Sequence, residues 1–332
     1  VSNSFVKNFD YAIPADLLAD CASPLAKAWL QAEDALARID ERVRESALRK
    51  GLCERLHLYN ARAALLSQNF IVHLEELVLF DADAYTGLVH AELARAADIA
   101  RLWRSAAKGE PDDLLAATMP GDASATLRHV EVDPRIEPLF DPDWNTPGRI
   151  ATWRRVLKQS RALPPVLSAA IAWDAWAMIN PDERGPWRAP LLAALILVSR
   201  SKVTNLLLPL DLGYRAASVR WRQTDPTETR LAILCTAMTA AARESDKELD
   251  QLTVAERLLR QHLVGRRRSS KLRAANELLL SRPLITVRML AKHARVTKQA
   301  AVRMIAALGS TPRLITDRAR YRCWALYSER LR

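Results

Sequence analysis

Long apolar runs are missing from this 332-residue chain. The best candidate, residues 189–198, falls well short of the roughly 20 apolar residues a membrane-spanning helix needs, and reads as a buried helix. No membrane partner is expected. Cysteine is scarce. Cys21, Cys53, Cys235 and Cys323 are scattered with no C-x-x-C pair, which argues against a zinc ribbon and a disulfide framework and for small buried thiols in a reducing compartment. The nine glycines form no G-x-G-x-x-G, G-x-x-x-x-G-K or G-x-S-x-G pattern. The chain therefore offers no phosphate-cradling loop and no hydrolase elbow. Residues 1–10 lack a basic flank followed by an apolar run, so no secretory leader is expected and the cytoplasm is the expected location.

Positive charge is plentiful, and its placement is uneven. Residues 257–332 hold 19 Lys and Arg against Glu277, Asp317 and Glu329, a net of +16. The remainder carries −5, which together gives the chain its +11. The whole excess lies at the C-terminal end, as expected where one part of a molecule meets a polyanion.

Apolar periodicity predicts an all-α protein. Leu25, Trp29, Ala32, Leu36, Ile39 and Val43 alternate steps of four and three on one helical face, behind a Ser23-Pro24 start. That stripe is either internal core or a dimer surface. Further helices are expected over 52–67, 89–105, 150–160, 164–179, 190–200, 228–245 and 246–264. Residues 206–217 are apolar but interrupted by Pro209 and Gly213, and read as a packed loop. Between Lys108 and Gly148 six prolines and an acidic excess exclude a long helix. The domain reading is an N-terminal helical region (1–107), a Pro-rich acidic linker (108–149), a central helical domain (150–265) and a basic C-terminal domain (266–332). Trp144, Trp153, Trp173, Trp176 and Trp187 are expected to pack the core. His57, His73 and His90 are read as surface or capping residues rather than as a metal site.

The C-terminal segment carries the most specific pattern. After Arg266, Arg267 and Arg268, a helix is expected over 271–280, stopped by Pro283. Thr286 and Thr297 then each open a short helix, 287–293 and 298–308, whose first-turn N–H groups need an acceptor. Ala291 is small enough for a steep helix crossing. Leu290, Ala294, Val296, Ala301, Met304 and Ile305 form the inner face; Thr297, Lys298, Gln299, Val302 and Arg303 form the outer one. This is a helix-turn-helix, with Lys and Arg suited to guanine or phosphate, Gln to adenine and Val to the thymine methyl. Arg295 occupies the turn where a positive φ usually calls for glycine, at a cost of about 1 kcal/mol. The β-prone runs 314–316 and 321–324 around Asp317-Arg318-Ala319-Arg320 suggest a wing, its basic tip of Arg318 and Arg320 set against phosphate or minor groove. The alternative is a three-helix cap packed on the core without a DNA role.

The runs GRRRSSKL (265–272), SRPLITVRMLAKHARVTKQAAVRMIAALG (281–309) and ITDRARYRCWAL (315–326), with EDALARIDERVRESALRKG (33–51), HLEELVLFDADA (73–84) and ETRLAILCTAMTAAA (228–242), resemble a bacterial family of unknown function. Its members are common on rhizobial symbiotic plasmids and join a helical domain to a C-terminal helix-turn-helix. The resemblance implies DNA binding. The sequence departs from it in the wing, where Asp317 and Ala319 stand in place of glycines. Some Fic-type nucleotidyl transferases carry similar helical blocks, but their H-P-F-x-x-G-N-G-R loop has no counterpart here, and no histidine precedes a proline. The expected function is therefore duplex DNA binding by a transcriptional regulator or plasmid-linked factor, with no catalytic motif found; the alternative is a helical interaction protein, or an enzyme of unknown chemistry, whose basic C-terminal module serves for targeting. The contacts are Thr297, Lys298, Gln299, Val302, Arg303, Arg266, Arg267, Arg268, Lys271, Arg318 and Arg320. No cofactor is called for, and a homodimer is expected from half-site reading.

Overall fold

The computed structural model describes residues 11–15, 17, 20–107, 145–181, 187–265, 271–315 and 322–327. Most of the proline-rich segment, together with Arg266, Arg267, Arg268, Arg318 and Arg320, lies outside them. The all-α reading holds: among the described residues there are twelve helices and three strands of two or three residues. The chain divides into two compact units, each assembled from separated stretches. One comprises Val1–Asp40 and Ser105–Ala242, the other Glu41–Arg104 and Arg243–Arg332.

The first unit takes most of α1 (Pro24–Glu45), then α5 (Thr146–Ser160), α6 (Pro165–Ile179), α7 (Arg188–Ser199), α8 (Leu210–Ala216) and the first half of α9 (Thr227–Gln261). The start of α1 is as expected, with the Ser23 hydroxyl accepting from the Ala26 N–H at 3.1 Å. Leu25, Ala32, Leu36, Ile39 and Val43 are buried within the chain, so this stripe is core rather than an open dimer face. Helix α6 is apolar almost all round and its residues from Val166 to Trp176 are buried, the signature of a central helix. Trp153 of α5 meets Trp176 edge to face at 5.0 Å and donates to the Ala172 carbonyl at 2.9 Å. Asp174, fully buried in α6, accepts two bonds from Arg230 at 2.9 Å, one from Tyr11 at 2.8 Å and one from Trp221 at 2.7 Å. A buried carboxylate needs such compensation.

Residues 206–217 are not simply a loop. Pro209 caps α8, where its fixed φ does no harm. Gly213 sits inside the helix because α9 passes against it: a Cβ there would lie 2.3 Å from the Ala237 carbonyl oxygen. The two helices expected over 228–264 form one continuous α9, since no proline or glycine interrupts Thr227–Gln261 and Ser245 is buried in its midst.

The second unit comprises α2 (Arg49–Leu66), α3 (Leu74–Asp81), α4 (Ala91–Ala106, to Arg104), the rest of α9, and the C-terminal elements α10 (Leu272–Ser281), β1 (Ile285–Thr286), α11 (Val287–Ala294), α12 (Lys298–Ala307), β2 (Arg313–Leu314) and β3 (Cys323–Ala325). Helix α3 has no counterpart among the expected helices: eight residues give too short a window for a period of 3.6, and its N-cap residue His73 makes no side-chain cap bond, whereas the equally short α11 is announced by Thr286. Its last residue, Asp81, holds Arg104 through both oxygens at 3.2–3.3 Å and also pairs with Arg282. Burial alone would raise the Asp81 pKa, but the two guanidinium groups outweigh it and hold the carboxyl below its ordinary value.

Candidate nucleic-acid interface

The C-terminal elements build the interface in chain order. Leu272, Ala275, Asn276, Leu278 and Leu279 turn one face of α10 inward. Pro283 then ends the helical path, and Ile285 and Thr286 pair with Trp324 and Cys323 of β3. Thr286 thus closes β1 and opens α11. Its backbone is extended, and its hydroxyl accepts from the Met289 N–H at 3.2 Å.

Helix α11 buries Met289, Leu290 and Ala294 and stops at Arg295, which is left-handed at φ 52° and ψ 57°. The positive φ expected at this turn is present without glycine. The N–H groups of Arg295 and Val296 both reach the Ala291 carbonyl, the latter at 3.0 Å, which satisfies an acceptor that a helix end would otherwise leave open. Thr297 then caps α12 by accepting from the Ala300 N–H at 3.2 Å. Both threonine caps fall where the sequence places them.

The inner face is as expected at Leu290, Ala294, Ala301 and Ile305, all buried, while Val296 and Met304 are only half-buried. The other side of α12 is open. Lys298, Gln299, Val302 and Arg303 are exposed, as is the cap residue Thr297. Lys298 and Val302 are one turn apart, and so are Gln299 and Arg303, so the four make two adjacent rows on one surface. Among the described residues, none supplies a hydrogen bond or ion pair to the side chains of Lys298, Gln299 or Arg303. Lys271 is exposed just before α10.

Strands β2 and β3 form an antiparallel hairpin, Arg313 opposite Ala325 and Leu314 opposite Trp324, extended by the Ile315 N–H to the Cys323 carbonyl at 2.8 Å. With β1 they make one sheet ordered β1-β3-β2. The strands lie within a residue or two of the expected runs. The short β1 was missed because two residues carry no alternation to detect. Sequence reasoning also left Arg288 of α11 and Arg313 of β2 unplaced, although both are exposed and basic. Lys292 is exposed too, but pairs with Asp83 at 3.2 Å.

Residues 272–327 match a family described as an HTH DNA binding domain. Residues 139–264 match one described as a protein of unknown function, DUF1612. An uncharacterized protein, y4cF, from Sinorhizobium fredii is 31% identical over 381 residues, an alignment covering 94% of this chain and 99% of that protein. A Fic family protein from Desulfovibrio desulfuricans is similar in structure over 96% of this chain and 98% of its own, at 17% identity and a TM-score of 0.49, a level that carries no inference about activity. The chain belongs to the family of the rhizobial protein, in which a region of unknown function precedes a helix-turn-helix DNA-binding domain.

Proposed function

We propose that this protein reads duplex DNA with α12 and acts as a transcriptional regulator or plasmid-linked factor in the cytoplasm. The observation that carries the proposal is the outer face of α12. Lys298, Gln299, Val302 and Arg303 stand exposed on a helix whose other side is locked by Ala301 and Ile305. An exposed, mostly polar face of this kind, its Lys298, Gln299 and Arg303 side chains without a hydrogen-bond or ion-pair partner among the described residues and backed by a buried apolar face, suits insertion into a major groove, where Lys, Arg and Gln find acceptors and donors on base edges. Thr297 and Lys271 are assigned to the flanking phosphates. Arg266, Arg267 and Arg268, and the wing residues Arg318 and Arg320, supply further phosphate contacts. Two copies are proposed to read two half-sites, and the reading requires no cofactor.

The test selects fragments from a genomic library on the full-length protein and then compares variants on the selected site and on random duplex. Lys298→Ala with Arg303→Ala should weaken the selected site by at least about tenfold more than random duplex, since a good base contact discriminates by roughly 1–3 kcal/mol. Equal losses on both would show that these side chains do not read bases. Neutralising Arg266, Arg267 and Arg268 should flatten the salt dependence on every sequence alike.

A further inference from the structure

We propose that Arg55 is a positioning residue for DNA reading, fixing the helix-turn-helix on α2 and α9 through the last turn of α10. This rests on the DNA-reading role proposed above and extends the DNA-binding body to residues 41–104.

The Arg55 guanidinium is fully buried, and its donors serve several elements at once. Nε donates to Glu248 of α9 at 2.6 Å. Nη1 donates to the Leu279 carbonyl at 3.2 Å and to the Arg282 carbonyl, and Nη2 to the Tyr59 hydroxyl at 3.1 Å. Its carbon lies 4.9 Å from the centre of the Tyr327 ring, two residues beyond β3, and the Tyr327 hydroxyl itself donates to Glu248. The last carbonyls of a helix have no partner inside it. At α10 this one planar group supplies donors to Leu279 and Arg282, a span that a lysine ammonium cannot reproduce.

The neighbouring residues tighten the same joint. Gly51, one turn before Arg55 on α2, faces the Leu280 carbonyl so closely that a Cβ would sit 2.9 Å from its oxygen. The last turn of α10 therefore rests on the bare backbone of α2. The Arg282 side chain is held by Asp81, so residue 282 is tied at its carbonyl and at its guanidinium. Three residues later β1 begins, and α11 and α12 follow directly, so the joint lies at the root of the reading helix. A buried ion pair adds little net stability over apolar side chains of like volume. Its directionality is the property that apolar packing would not supply.

The experiment replaces the pair in the full chain by Arg55→Met with Glu248→Met. Spin labels at Lys50→Cys and Ala306→Cys, both exposed positions outside the proposed contacts, with Cys21→Ser and Cys53→Ser, report the distance from α2 to α12, and affinities are measured on the unlabelled chains. The melting temperature should stay near that of the parent. The distance distribution should broaden or shift, and affinity for the selected site should fall about tenfold, with random duplex little affected. An unchanged distance distribution, or a broadened one with site affinity intact, overturns the proposal. If the double variant does not fold, Gly51→Ala decides in its place: with the ion pair intact it should displace α10 and move the same distance, and no movement overturns the proposal. Failure of the parent protein to bind any duplex would refute DNA reading, and with it the proposal, even where the distance measurement shows that Arg55 orients α12.

Discussion

Replacing Gly213 with alanine should destabilise the protein by about 1–3 kcal/mol, the usual cost of forcing a methyl group into a packed interface. The added Cβ would stand 2.3 Å from the Ala237 carbonyl oxygen, 2.5 Å from the Ala241 Cβ and 2.6 Å from the Ala241 N. Two of these three are backbone atoms of α9, which cannot rotate aside. To restore an ordinary contact of 3.4 Å, α8 and α9 must part by about 1 Å, loosening the buried residues around Leu210. Alanine's better helix propensity, about 1 kcal/mol over glycine, works in the opposite direction but does not relieve the clash. At roughly 2–4 °C per kcal/mol for a unit of this size, the melting temperature should fall by several degrees. Thermal unfolding followed by far-ultraviolet circular dichroism measures this directly. Adding Ala241→Gly should recover little, because it removes only the side-chain contact. A melting temperature equal to or above the parent's would refute the close approach of the two helices.

The helix caps can be tested in the same way. Thr286→Ala and Thr297→Ala should each cost about 1 kcal/mol in urea unfolding, whereas serine at either position should retain most of the stability. Asp81 gives a pH signature. Its carboxyl is held below the ordinary value of 3.8, so the stability it contributes is fully present above that value and is lost as the pH falls through the lower, folded-state pKa. The gap in melting temperature between the parent and Asp81→Asn should therefore be constant near neutrality and shrink below about pH 4. A gap that stays constant into acid would show that the carboxylate is not held by Arg104 and Arg282.

The sequence by itself determined whatever depends on near neighbours along the chain. Thr286 and Thr297 announce two helix starts because a capping hydroxyl acts only three residues ahead. The apolar spacing of Leu290, Ala294, Ala301 and Ile305 set the inner face, and with it the exposed row from Lys298 to Arg303. Even the left-handed turn at Arg295 was legible, from the distance between the two helices. Tertiary structure alone decided which distant residues complete the domain. Gly213 reads as a helix breaker until α9 lies against it. Arg55 and Glu248 are 193 positions apart and look like two ordinary charges on amphipathic helices. Their meeting at the end of α10 depends on how the chain returns to α2 after α9, and that path is a property of packing which no local spacing encodes.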